Sequence, residues 1–408
     1  MNPTARKLMS RRNILLAAGT ATVGLVAAVA CGQMPEDAAV EEVEEAVTPQ
    51  AEAVQPSPSP DLPANLQFST YGWKTDFSKH SVPLDEISSG GPGKDGIPSI
   101  DEPLFITPEE ATLDVGDHEP VVAVDINGEA KAYPINILVW HEIVNDTIGG
   151  VPVTVTFCPL CNTAIAFDRR LDGTVYDFGV SGNLRYSDLI MYDRQTESWW
   201  QQITGTAIVG ALTGKKLTPV PASMVSFLDF RTTYPAAVVL SRDTGFLRSY
   251  GRNPYLGYDN ISNSPFLFFE PVDGRLPAME RVVTVSLNGE DAAYPFSVLA
   301  EQKVVADTVG GESIVVFHQP GVDSPFSGTD IGAAGVFAPT VDGETLKFTV
   351  NDKGEIRDTE TQSKWNVLGR AVAGPLEGKQ LQSIINGNHF WFAWAVFKPE
   401  TRVFSLPN

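Results

Sequence analysis

The chain has 408 residues, 50 acidic and 29 basic, with a formal net charge of −21 and 43% hydrophobic residues. So large a negative excess repels phosphate backbones, so no nucleic acid partner is expected, and the acidity reads as solubility outside the cell. The hydrophobic share is ample for a real core.

The N-terminus reads as a targeting segment, residues 1–31. Arg6, Lys7, Arg11 and Arg12 precede an uncharged run of about 17 residues from Ile14 to Ala30, short of the roughly 20 that a membrane span needs. Removing it takes four basic and no acidic residues, leaving 25 basic against 50 acidic. The run ends at Ala28-Val29-Ala30-Cys31, which reads as a lipoprotein cleavage site with Cys31 as the lipidated residue, although Ala28 stands where a leucine is usual. The alternative is ordinary signal peptidase cleavage nearby. Ser10-Arg11-Arg12-Asn13-Ile14-Leu15 resembles a twin-arginine signal, an address for proteins exported already folded, which permits a cofactor to be loaded in the cytoplasm. The expected location is extracytoplasmic, anchored to the membrane by lipid. Residues 32–65 follow as an acidic, proline-rich tether, with Pro-Ser-Pro-Ser-Pro at 56–60. Such a composition buries too little apolar surface to offset chain entropy.

The rest is organised by an internal repeat. Glu119-Pro-Val-Val-Ala-Val-Asp-Ile-Asn-Gly-Glu-Ala-Lys-Ala-Tyr-Pro134 recurs as Glu280-Arg-Val-Val-Thr-Val-Ser-Leu-Asn-Gly-Glu-Asp-Ala-Ala-Tyr-Pro295, with ten of sixteen positions identical. Asp146-Thr-Ile-Gly-Gly150 returns as Asp307-Thr-Val-Gly-Gly311, and Thr196-Glu-Ser-Trp-Trp200 as Thr361-Gln-Ser-Lys-Trp365. The fold expected is α+β and β-rich, with two tandem homologous repeats, 66–245 and 246–408, packed as a pseudo-symmetric pair. Asn127-Gly128 predicts a hairpin turn, as do the glycines at 149–150 and Asp172-Gly173. Tyr133-Pro134 opens a short helix to about Trp140, with Pro134 in its first turn.

Cys158-Pro-Leu-Cys161 holds the two cysteines left once Cys31 is committed to lipid. A turn at Gly149-Gly150 makes positions summing to 299 face each other, which sets His141 opposite Cys158 within reach of a hydrogen bond or a shared metal ion. Under that register Glu142 points to the opposite face. Three readings stand: a structural disulfide in a cell-surface binding module, a redox-active dithiol whose thiol pKa is tuned by His141, and a copper or zinc site. For the metal, the ligands are His141, Cys158 and Cys161, with His318, which follows Phe317 as Cys158 follows Phe157, as a candidate fourth. In the second copy Gln302 replaces His141 and His318-Gln-Pro-Gly321 replaces the cysteine motif, so one active and one degenerate copy are expected.

Gly72-Trp-Lys-Thr-Asp-Phe-Ser78, Lys94-Asp-Gly-Ile-Pro98, Trp140-His-Glu-Ile-Val-Asn-Asp146, Phe157-Cys-Pro-Leu-Cys-Asn162 and Ser187-Asp-Leu-Ile-Met-Tyr-Asp-Arg-Gln-Thr-Glu-Ser-Trp199 together resemble the bacterial and archaeal family called domain of unknown function 3179. The resemblance brings no activity, but some relatives are catalogued as selenoproteins, which implies redox chemistry at a cysteine of this type. Thiol-based redox activity, in thiol-disulfide or peroxide chemistry with an unknown redox partner or small molecule, is therefore the leading expectation. Arg185, Asp188, Asp193 and Arg194 read either as substrate-orienting groups or as an ion-pair network, Trp199 and Trp200 as core. His80, His118 and His389 have no spacing that suggests ligation.

Overall fold

The structure, a computed structural model, describes residues 62, 63 and 65–406. The targeting segment, Cys31 and nearly all of the tether lie outside the described residues. Among the described residues no helix is long and apolar enough to cross a membrane. The architecture is α+β and rich in strands, as expected.

The repeated pattern of the first copy opens with β1 (Pro120–Ile126) and β2 (Glu129–Pro134), joined by Asn127 and Gly128 at φ 55° and 81°. Two consecutive left-handed residues make the hairpin turn whose twist matches the strands it joins. Helix α1 (Ile135–His141) starts one residue later than expected, with Pro134 as its N-cap, and it runs on through His141. Glu142, left-handed at φ 58°, ends it. β3 (Ile143–Ile148) and β4 (Val151–Cys158) then pair through the Gly149-Gly150 turn. Glycine is required at 149, because a Cβ there would stand 2.1 Å from the carbonyl oxygen of Ile126. β5 (Thr163–Asp168) continues that sheet, and β6 (Phe178–Arg185), β7 (Asp188–Asp193), β8 (Trp199–Gln201) and β9 (Thr206–Val209) form another.

The same order returns from β10 (Arg281–Leu287) and β11 (Glu290–Pro295) through α2 (Phe296–Gln302), β12 (Val304–Val309), β13 (Glu312–Gln319) and β14 (Ala333–Phe337). β15 (Phe348–Val350), β16 (Ile356–Asp358), β17 (Lys364–Trp365) and β18 (Ala371–Ala373) make the matching last sheet. β19 (Asn386–Phe390) pairs with β10 as Ser223–Ser226 pairs with β1, and α3 (Trp391–Ala395) follows it. Side-chain bonds repeat too. Tyr133 Oη donates to Asp146 Oδ2 at 2.5 Å and Tyr294 Oη to Asp307 Oδ2 at 2.7 Å. The indoles of Trp200 and Trp365 each donate at 2.9 Å, to Asp193 and Asp358.

The largest apolar cluster spans both copies, joining Val122, Phe157 and Trp200 to Phe326, Phe390 and Phe392. The first copy therefore completes its core with side chains from the second. Trp199 and Trp200 are fully buried, as the sequence suggested.

Candidate functional site: a buried thiol–carboxylate cluster

Cys158 is the last residue of β4 and pairs with Thr163, so Pro159-Leu160-Cys161-Asn162 is a four-residue loop, closed by Asn162 at φ 50°. Both thiols are free and buried, Cys158 at 1% exposure and Cys161 at 0%. From the second copy, the Phe390 N–H donates to the Cys161 carbonyl at 2.8 Å.

The sulfurs face the hairpin between β6 and β7. Its turn is Tyr186-Ser187, at φ 54° and 69°, left-handed geometry in two residues that ordinarily avoid it. Strain of this kind persists only where surrounding structure enforces it. Here the Ser187 hydroxyl donates to the Phe266 carbonyl, and the Arg185 guanidinium stacks on the Tyr186 ring at 4.3 Å. The turn aims the Ser187 carbonyl at both thiols, which donate to it across 3.7 Å from Cys158 and 3.4 Å from Cys161.

Asp188 follows the turn. Its carboxylate and the two sulfurs offer ligand atoms all within 4.8 Å of one another. Oδ2 accepts from Gln201 Nε2 at 2.6 Å and from the Ile203 N–H at 3.0 Å, while Oδ1 is buried and makes no hydrogen bond of ordinary geometry. Burial pushes the Asp188 pKa up to about 7, against the hydrogen-bonding influence of Gln201, the Ile203 N–H, the Cys161 thiol and the Leu189 N–H. Burial also raises the Cys161 thiol well above its usual range, with Cys158 and Asp188 adding to the effect. Glu142, buried and within electrostatic reach of Asp188, is raised to about 8, chiefly by desolvation. Among the described residues no lysine or arginine pairs with Glu142 or Asp188. Three acidic groups, Cys158, Cys161 and Asp188, thus share one buried cluster, with Glu142 within electrostatic reach of it.

His141 is not part of it. The register sum of 299 holds from Ile143 opposite Thr156 to Ile148 opposite Val151, but the ladder stops there. His141 belongs to helix α1, and the left-handed Glu142 turns the chain before the strand begins, so it does not lie opposite Cys158. Its Nδ1 bonds the Pro98 carbonyl at 2.8 Å and its Nε2 the Tyr250 hydroxyl at 2.6 Å; burial lowers its pKa. Glu142, at the reversal of the chain, is buried within electrostatic reach of Asp188 but does not join the thiol cluster. His318, on β13, packs edge-on against Phe296 at 5.5 Å and does not join the cysteine cluster. Arg185 is paired with Glu86 at 2.6 Å, and Asp193 holds Trp200 and the Thr196 turn. Of the polar residues singled out in sequence, only Asp188 reaches the thiols. Arg194 joins Asp95 and Asp101 in a partly exposed ion-pair network.

The profile of the family described as Protein of unknown function (DUF3179) matches residues 94–401. The chain belongs to this DUF3179 family. No curated protein and no solved structure matches it. Within this DUF3179 chain the site is confined to the first copy. The β6–β7 hairpin spans residues 178–193, whereas its counterpart, from Phe348 to Asp358, is shorter and lacks the tip that carries Ser187 and Asp188. That missing tip was a readable sign of Asp188 in the sequence, as telling as the lost cysteines.

Proposed function

We propose that Cys158, Cys161 and Asp188 form a buried site for a soft or borderline transition metal ion, zinc or copper, in an exported protein tethered by Cys31. The observation that carries this reading is the packing of two free thiols and a buried carboxylate within 4.8 Å, at near-zero exposure, with no lysine or arginine among the described residues paired to that carboxylate. A nucleophilic thiol needs its pKa lowered, and this environment raises that of Cys161. A metal ion reverses the balance, since bound thiols and carboxylates ionise and release their protons to solvent. Two thiolates and one carboxylate leave a fourth position, for which the Ser187 carbonyl or a small molecule is the candidate. Burial also fits loading before export, the order that a twin-arginine signal permits. The two copies are read as a pseudo-symmetric pair in which only the first kept the chemistry.

Thiol redox is the second reading, favoured by Asp188 at about 7, which suits it to take the Cys161 proton. The dithiol would give two electrons and two protons to a small peroxide, forming the Cys158–Cys161 disulfide while hydrogen peroxide becomes two waters, or an alkyl hydroperoxide one alcohol and one water. Burial of both sulfurs excludes a protein-sized substrate from the conformation seen.

Elemental analysis of protein folded in the cytoplasm, with cobalt reconstitution under reducing conditions, tests the assignment. The expected result is one ion per chain, with a thiolate-to-cobalt charge-transfer band that Cys158→Ser abolishes. Reduced, folded protein that takes up no zinc, copper or cobalt sinks the metal reading.

A further inference from the structure

The strand that leaves the thiol loop, β5, packs against β19 of the second copy. Beside that contact opens a cleft of about 480 Å³, lined by Ile165 and Phe167 from β5 and by Asn386, Gly387 and His389 from β19. Trp394 stacks on the His389 ring at 5.2 Å and lines the cleft as well. Volume and lining fall within the range of small-molecule sites, which are mostly apolar with a few placed polar groups. Neither the thiols nor Asp188 line it.

His389 is the placed polar group. It is 1% exposed, and burial drops its pKa to about 3, so the ring is neutral. Its Nδ1 lies 2.8 Å from the Thr163 hydroxyl, which itself donates to the Cys161 carbonyl at 3.3 Å. A hydroxyl has one hydrogen to give. Given to the carbonyl, it leaves the hydroxyl oxygen to accept from Nδ1–H, and Nε2 is then the unprotonated nitrogen. A Cβ on Gly387 would come within 2.4 Å of Nε2, so glycine there keeps that edge of the ring free beside the cleft. The charged lining residues are Lys216 and Lys398 only, in a chain of net charge −21. Lys398 is paired with Asp291 at 3.0 Å, and Lys216 makes no ion pair among the described residues.

We propose that this cleft binds a small apolar molecule, neutral or anionic, through a hydroxyl that donates to His389 Nε2. The walls take the apolar body, and Lys216, which makes no ion pair among the described residues, disfavours cations. The thiols and Asp188 do not line the cleft, so probe binding and metal content are read separately.

The test uses 1-naphthol and 1-methoxynaphthalene as probes, followed by quenching of tryptophan emission in the intact chain. Naphthol is expected to bind saturably, and the ether roughly fivefold more weakly, the factor for one lost neutral hydrogen bond. His389→Phe should bring naphthol down to the affinity of the ether. Thr204→Trp, at a half-buried lining position outside regular structure, should block both probes while leaving metal content unchanged. No saturable binding, equal affinity for the two probes, or full binding in folded Thr204→Trp would each overturn the proposal.

Discussion

The backbone N–H of Phe390 donates to the carbonyl of Cys161 across 2.8 Å, so the second copy holds the loop that carries the chemistry of the first. His389 adds a second tie through Thr163. Residues 66–245 alone would lose both ties and expose the faces that Phe326, Phe390 and Phe392 cover. That fragment is expected to show no cooperative thermal transition by circular dichroism. A sharp transition at the temperature of the whole chain would mean the second copy is dispensable for folding.

Asp188 titrates near 4 when unfolded and at about 7 when folded. Between those values the folded state keeps a proton that the unfolded state releases, so metal-free stability falls as pH rises across the window, by at most about 1.4 kcal/mol per pH unit. Asp188→Asn removes this carboxyl's share of the dependence and leaves that of Glu142, which is raised to about 8. In thermal melts of metal-free protein the variant should gain on the wild type at pH 8 and not at pH 4. An equal difference at both pH values would show that the carboxyl is not held protonated by its surroundings.

His141 ties helix α1 to Pro98 and Tyr250 rather than to a metal. Its change to alanine is expected to cost about 1–3 kcal/mol of stability, the range for buried groups left without partners. Metal stoichiometry should stay at the wild-type level. Loss of the ion from folded His141→Ala protein would restore the histidine to the ligand set.

Asp193 and Asp358 perform the same structural task in the two copies, each accepting from a buried indole and from the backbone of its own turn. Alanine at either position strands those donors, and urea unfolding should report a loss of about 2–4 kcal/mol for each. A negligible cost at Asp193 with a large one at Asp358 would argue that the repeated geometry carries unequal roles.

At Gly149-Gly150 the β3–β4 register was legible, because a two-residue turn leaves little freedom in how its strands align. The same reasoning failed two residues beyond the ladder. Leu138 and Val139 are buried helix residues, and Glu142 takes a left-handed conformation that an acidic side chain does not announce. His389 was passed over for a different reason: its partners, Thr163 and Trp394, come from both copies, and no local spacing links them.

The local pattern by itself determined the duplication, the hairpins and the Cys158–Cys161 pair, since turn chemistry and alternation act over a few residues. Only the tertiary structure decided what stands beside the thiols. Asp188 lies in another sheet, brought there by a strained Tyr186-Ser187 turn. The raised pKa values follow from burial, which is a property of the folded chain and not of the local sequence.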